Sequence, residues 1–188
     1  MNRKEIFELE LSYIEDDSLR ELVEDCLDKA PDYFYHIGAS STGKYHPSYA
    51  LGEGGLIRHT QAAVRVAHSL LQLEMYAPIA KHHDEIIAAL ILHDSVKKGF
   101  NESMQYTVFE HPDCAAELFR KTAVQHNFDA EVVNSICGMI RAHMGQWNTN
   151  KRSSVILRTP QNKVENFVHQ CDYLASRKFI EINFDEKP

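Results

Sequence analysis

Six side chains stand out because each puts a metal-ligating group where an apolar residue would ordinarily pack. His59 shares a helical stripe with Leu56, Ala63, Val66 and Leu70, and His111 shares one with Ala115, Leu118 and Phe119. His143 follows Ile136, Met139 and Ile140 on one face, and Asp172 sits with Val164, Val168, Cys171 and Ala175. The pair His93-Asp94 closes the apolar run AALIL. An unpartnered imidazole or carboxylate in a core is strongly destabilising, so several together ask for a shared partner. A divalent metal satisfies many at once, because it neutralises carboxylates and accepts imidazole lone pairs. Core histidines bonded to backbone groups are the plainer alternative.

Histidine contributes 11 of the 188 residues, well above ordinary usage, which points to metal or acid–base chemistry. The dipeptide His-Asp occurs twice. His83-Asp84 opens a helix, where an aspartate suits the dipole and needs no metal. His93-Asp94 ends a buried run and is followed one turn later by Lys97.

The remaining candidates carry less chemistry. His68 falls with Gln61, Arg65 and Gln72 on a polar face, and His126 ends a helix where a cation is favoured. His169 lies one turn before Asp172 and is placed to support it. His36 and His46, in a long loop, are in reach of a substrate. Lys151, Arg152, Arg158 and Lys163 form the one concentrated basic stretch, suited to a phosphate-rich substrate or to an ordinary solvated loop. Trp147 and Tyr33, Tyr35, Tyr45 and Tyr49 can stack on a base or pack beneath the loop. Cys114 and Cys171 lie near ligand positions but need only be small buried residues.

The elements that must position these groups read as all-α. Residues 1–30 form a helical hairpin, from helices over 3–15 and 17–30, the second capped by Asp16/Asp17 and closed before Pro31. Residues 31–53 are a loop too long for a simple connector. Residues 54–177 form a helical core, with helices over 54–75, 83–94, 110–125 and 129–143, an irregular polar stretch over 147–158, and a last helix started by Thr159-Pro160 as cap and first-turn proline. Residues 178–188 are a tail, frayed over Asn183–Pro188. The helix ending at Asp94 is apolar all round, as a central helix packed on every side would be. The whole reads as one domain over 1–188.

Composition narrows the class. With 44% hydrophobic and 25% charged residues, 8 Gly and 6 Pro, the chain is neither collagen-like nor a Pro/Gly-rich disordered sequence. A net charge of −7 argues against a broad electrostatic grip on nucleic acid, though not against a local basic patch. Cys26, Cys114, Cys137 and Cys171 form no CxxC pair, which fits free thiols in the cytoplasm. No apolar stretch suffices for a membrane span, and MNRKEIFELELSYIEDD is too acidic for a secretory signal, so no membrane partner is expected.

Taken in order, GGLIRHT (His59), AALILHDSVKK (His93, Asp94, Lys97), FEHP (His111), IRAHM (His143) and HQCDYLASR (Asp172) resemble the HD-domain metal-dependent phosphohydrolases, an all-α bundle, over residues 54–177. The resemblance implies one divalent ion on His59, His93, Asp94 and Asp172 and a second on Asp94, His111 and His143, drawn from Mn, Fe, Ni, Co or Zn. It implies hydrolysis of a phosphoester by a metal-activated water, with Asp94 and Lys97 as the catalytic pair and Lys97 on a phosphate oxygen. The GGLIRHT segment and Lys44-Tyr45-His46-Pro47 look most like the HD domains of bacterial 3′→5′ exoribonucleases. Met144 stands where the cyclic-dinucleotide phosphodiesterase branch has a second histidine, which argues against that branch.

The expected substrate is a phosphorylated small molecule or short oligonucleotide. The alternatives are a mononuclear nucleotidase acting on nucleoside monophosphates, independent of His111 and His143, and a non-catalytic, metal-stabilised nucleotide-binding module. Oligomeric state stays open, a homodimer among the options.

Overall fold

Ile86 to Leu92 are all buried, and the reason is the place of their helix, α6 (His83–Leu92), at the centre of the bundle. The computed structural model describes residues 3–40, 43–44, 46–101, 104 and 106–178. The expected frayed tail at Asn183–Pro188 and the aromatic Tyr45 lie outside them. In chain order the helices are α1 (Arg3–Ile6), α2 (Glu8–Leu11), α3 (Asp17–Lys29), α4 (Gly55–Leu71), α5 (Ala77–Ala80), α6, α7 (His111–Gln125), α8 (Ala130–Ala142) and α9 (Lys163–Ala175). Helices α3, α4, α8 and α9 all touch α6, while α7 packs on α8 and α3. The described residues hold no strand beyond one isolated bridge between Thr149 and Ile156, so the architecture is the all-α bundle that the sequence predicts.

The helix ends follow capping chemistry. Asp16 accepts from the Leu19 amide at 3.0 Å and opens α3; Asp129 accepts from the Glu131 and Val132 amides and opens α8. Three sequence expectations are corrected. The helix placed over 3–15 breaks at Phe7, whose fully buried ring stacks on Phe34 with centroids 6.0 Å apart; tertiary packing outweighs helix propensity there. The last helix starts at Lys163, not at Thr159-Pro160. Asn162 accepts from the Glu165 amide at 2.9 Å, and the buried Glu165 carboxylate accepts from the Gln161 amide and the Arg158 guanidinium, each at 2.7 Å. That reciprocal cap wins over the proline signal. Helix α4 also ends earlier than expected, at Leu71, before a 3-10 turn over Glu74–Tyr76.

The described residues of the long loop 31–53 pack against the bundle. Phe34 and Ala50 are fully buried, and Arg58 of α4 donates to the carbonyls of Tyr49, Leu51 and Glu53. Gly55 starts α4 so close to this loop that a Cβ would lie 2.4 Å from the Ala50 carbonyl oxygen. The loop therefore sets where α4, and with it His59, enters the bundle.

Candidate metal centre

Five helices bring their donors to one point. His59 lies in the second turn of α4, and Asp172 near the end of α9. His93 and His143 are the residues that terminate α6 and α8, and His111 begins α7. All four imidazoles and Asp94 are buried. The carboxyl end of a helix carries partial negative charge, so the ends of α6 and α8 both favour a cation here.

Three of the rings are fixed by the same local device. The Nδ1 atoms of His93, His111 and His143 lie 2.7, 2.8 and 2.7 Å from the carbonyl oxygens of Leu90, Val108 and Ile140, each three residues earlier. A carbonyl oxygen can only accept, so Nδ1 carries the proton. The Nε2 atom of each neutral ring then presents a lone pair to the interior.

Those lone pairs meet carboxylates. Asp94 Oδ1 lies 3.2 Å from His111 Nε2 and 3.8 Å from His143 Nε2. Asp94 Oδ2 lies 3.6 Å from His93 Nε2 and 4.0 Å from His59 Nε2, and it also accepts from Lys97. Asp172 Oδ1 is 3.0 Å from His59 Nε2 and 3.5 Å from His93 Nε2. The donors thus sort into two trios, His59/His93/Asp172 and Asp94/His111/His143, the ligand atoms within each lying within 4.8 Å of one another.

Two of these atoms, His93 Nε2 and Asp94 Oδ1, are buried without a hydrogen-bond partner. A concentration of inward lone pairs with unmet acceptors suits a divalent cation, and the imidazole and carboxylate donors suit Mn, Fe, Ni, Co or Zn.

The charges adapt accordingly. Burial opposes ionisation of Asp94, yet Lys97 and His93 hold its carboxyl well below the usual range. Burial likewise opposes ionisation of Asp172, and bonding to His59 and His93 outweighs it. Burial, with His93 and His111 close by, pushes His143 down to about 3. His93 goes up instead, because Asp94 and Asp172 outweigh its burial. Asp172 and Lys97 are the members of the cluster nearest solvent, their side chains keeping 18% and 14% exposure while the rings keep 4% or less.

All seven residues selected from the sequence gather here. His46 of the long loop joins them: its ring centroid is 5.7 Å from that of His59, its Nδ1 is buried without a partner, and burial, with His59 and Lys97 nearby, lowers its pKa to about 4. His169 is placed differently from the sequence expectation. Its Nδ1 donates to the His143 carbonyl at 2.6 Å, so it braces the turn after α8 and not Asp172.

His36 pairs with exposed Glu53, and His126 with Asp25, both away from the centre. His68 and His83 meet each other at 3.3 Å beside Tyr13, in a cavity of about 720 Å³ at the opposite end of α6. Arg158 is bound to Glu165. Tyr33, Tyr35 and Tyr49 spend their hydroxyls on the carbonyls of Gly99, Leu27 and Ala175. Sequence reasoning missed Tyr173 and Arg177, which stack with Trp147 just outside the centre; the only hint was that Tyr173 adjoins Asp172.

All four cysteines are unpaired, and no helix is long and apolar enough to cross a membrane among the described residues. No curated protein and no solved structure matches the chain. The family model for the HD domain matches residues 61–177, a span that takes in every donor except His59, which lies two residues before it. HD-domain proteins are generally metal-dependent hydrolases, and on a match covering more than half its length this chain belongs to the HD-domain family.

Proposed function

We propose that the chain is a metal-dependent phosphohydrolase that cleaves a phosphoester of a nucleotide or short oligonucleotide at a dinuclear site. His59, His93, Asp94 and Asp172 would hold one ion, and Asp94, His111 and His143 would hold the other. The observation that carries this reading is the Asp94 carboxylate, which turns Oδ2 toward His93 and His59 and Oδ1 toward His111 and His143.

Divalent ions at such a site supply an acidified water and offset negative charge on the phosphoryl group. The protein's residues do the rest. Backbone carbonyls hold three imidazoles with Nε2 inward, so donor positions need no reorganisation. Lys97 keeps its ammonium on Asp94, where a phosphate oxygen entering past Asp172 would find it. His46 remains neutral near pH 7 and closes the wall beside His59. The resemblance of GGLIRHT and Lys44–Pro47 to the exoribonuclease HD domains supports a nucleic-acid-derived substrate, and the four free thiols support a cytoplasmic location.

Elemental analysis of the purified protein, paired with a panel of phosphomonoesters and phosphodiesters, tests the proposal. The expected result is bound transition metal and turnover of at least one nucleotide ester, both lost in Asp94→Ala. Metal content and hydrolysis unchanged in Asp94→Ala would overturn it.

A further inference from the structure

Beside the metal centre stands an aromatic stack that the hydrolytic chemistry does not use. Trp147 and Tyr173 lie nearly parallel, with centroids 5.3 Å apart and planes 18° from each other. The Arg177 guanidinium carbon sits 4.3 Å from the Tyr173 centroid and 5.2 Å from that of Trp147. Tyr173 directly follows Asp172, and Trp147 comes four residues after His143, so both rings are tied to donor positions.

The support under Trp147 is rigid. His169 donates to the His143 carbonyl and lays its ring 5.9 Å from that of Trp147. Gly145, at φ +55°, lets that imidazole approach so closely that a Cβ would come within 2.2 Å of it. A hydrogen bond of 3.1 Å from the Trp147 amide to the Met144 carbonyl completes the turn.

Despite this support, 39% of Trp147 stays exposed, so part of the chain's single tryptophan ring is open to a ligand. The same loop carries Lys151 and Arg152, both exposed and neither in a salt bridge among the described residues. A pair of near-parallel rings with a guanidinium over both, free positive charge on the adjoining loop and the metal centre next to it matches an unpaired base joined to a phosphate. Every base has a π face, and stacking on an aromatic side chain tolerates any of them.

We infer that Trp147, Tyr173 and Arg177 form a stacking platform for the nucleobase of the substrate, with Lys151 and Arg152 attracting its phosphate. The orientation of the base toward the metal centre rests on the phosphohydrolase reading; the platform itself does not.

Because the chain has one tryptophan, its emission reports this ring alone. The test titrates the Asp94→Asn protein, in which turnover is slowed on the order of 1,000-fold, with adenosine monophosphate, with a short oligoadenylate and with ribose 5-phosphate. Saturable quenching by a base-bearing ligand and none by ribose 5-phosphate is expected. Calorimetry on Trp147→Ala should show the same ligand bound about 5- to 150-fold more weakly, the range that base stacking supplies, with Trp147→Phe recovering most of the loss.

Tighter binding of the oligoadenylate would mark a single strand as the ligand; equal binding would mark a mononucleotide. Flat titrations, or equal quenching by the base-free sugar phosphate, would overturn the platform. So would an emission change that follows protein concentration, which would mean a second copy covers the ring. Flat titrations alongside phosphoester hydrolysis by the wild-type chain would remove the platform and leave the hydrolase; quenching without hydrolysis of any ester would do the reverse.

Discussion

His111 and His143 aim their Nε2 atoms at each other across 3.2 Å, although each ring has already given its Nδ1 proton to a backbone carbonyl. Two lone pairs at that separation repel unless a positive charge lies between them and the Asp94 oxygen beside them. This arrangement divides the dinuclear reading from the mononuclear one. Replacing either histidine by alanine should remove one equivalent of bound metal and slow phosphoester hydrolysis by roughly 100-fold, since even groups that only orient a ligand cost 10- to 100-fold. Metal titration of the two variants checks this, and a full complement of metal at the wild-type rate would favour a single ion.

Asp94→Asn keeps the shape of the side chain but removes the charge whose two oxygens face His59 and His93 on one side and His111 and His143 on the other. Hydrolysis should fall by more than in either histidine variant, on the order of 1,000-fold, because each proposed ion loses its common carboxylate. Thermal melting gives a second readout. A chelator should lower the wild-type Tm by removing a ligand of the native state only, and should barely move the variant. Equal chelator sensitivity in both would contradict the placement of Asp94.

Acid should destabilise the metal-stripped protein. In the fold His46 titrates at about 4 and His143 at about 3, against 6.5 for an ordinary imidazole. The unfolded chain therefore takes up protons that these rings refuse, so their contribution is complete above pH 6.5 and is lost as pH falls toward 4 and then 3. His93, raised in the fold, works in the opposite sense in a different window: its contribution is complete below pH 6.5 and is lost as pH rises through its higher folded value. With the chelator present, Tm at pH 5 should lie below Tm at pH 7, and His46→Gln should flatten that slope. A Tm at pH 5 equal to or above that at pH 7 would contradict the lowered values of His46 and His143.

Gly55→Ala places a methyl group 2.4 Å from the Ala50 carbonyl oxygen, a backbone atom that cannot rotate away. The start of α4 must shift, at a cost of about 1–3 kcal/mol by analogy with overpacked cores. His59 is one turn further along the same helix. Denaturant unfolding should show the lost stability, and a metal titration should show weakened uptake at the His59 trio before the His111 trio.

What could be read from the residues alone was whatever periodicity and burial encode. The apolar run ending at His93-Asp94 declared the central helix, and His59, His111, His143 and Asp172 declared themselves by interrupting apolar stripes. Competition between local signals was less legible. Thr159-Pro160 has the form of a helix start, yet Asn162 and Glu165 satisfy more backbone donors and take the role. Phe7 belongs to a good helical run and still leaves it to reach Phe34. Contacts that depend on a loop's path left no trace at all: nothing near His169 indicates the His143 carbonyl, and nothing near Arg177 indicates Trp147.

The carbonyl three residues back that steadies His93, His111 and His143 has a consequence for how the protein meets its metals. Because each ring is aimed by its own short stretch of chain, the cage exists before any ion arrives, and exchanging one ion for another asks for no backbone movement. Occupancy should then track cellular supply, so the same polypeptide produced in manganese-rich and iron-rich media is expected to emerge with different cargo and an indistinguishable fold.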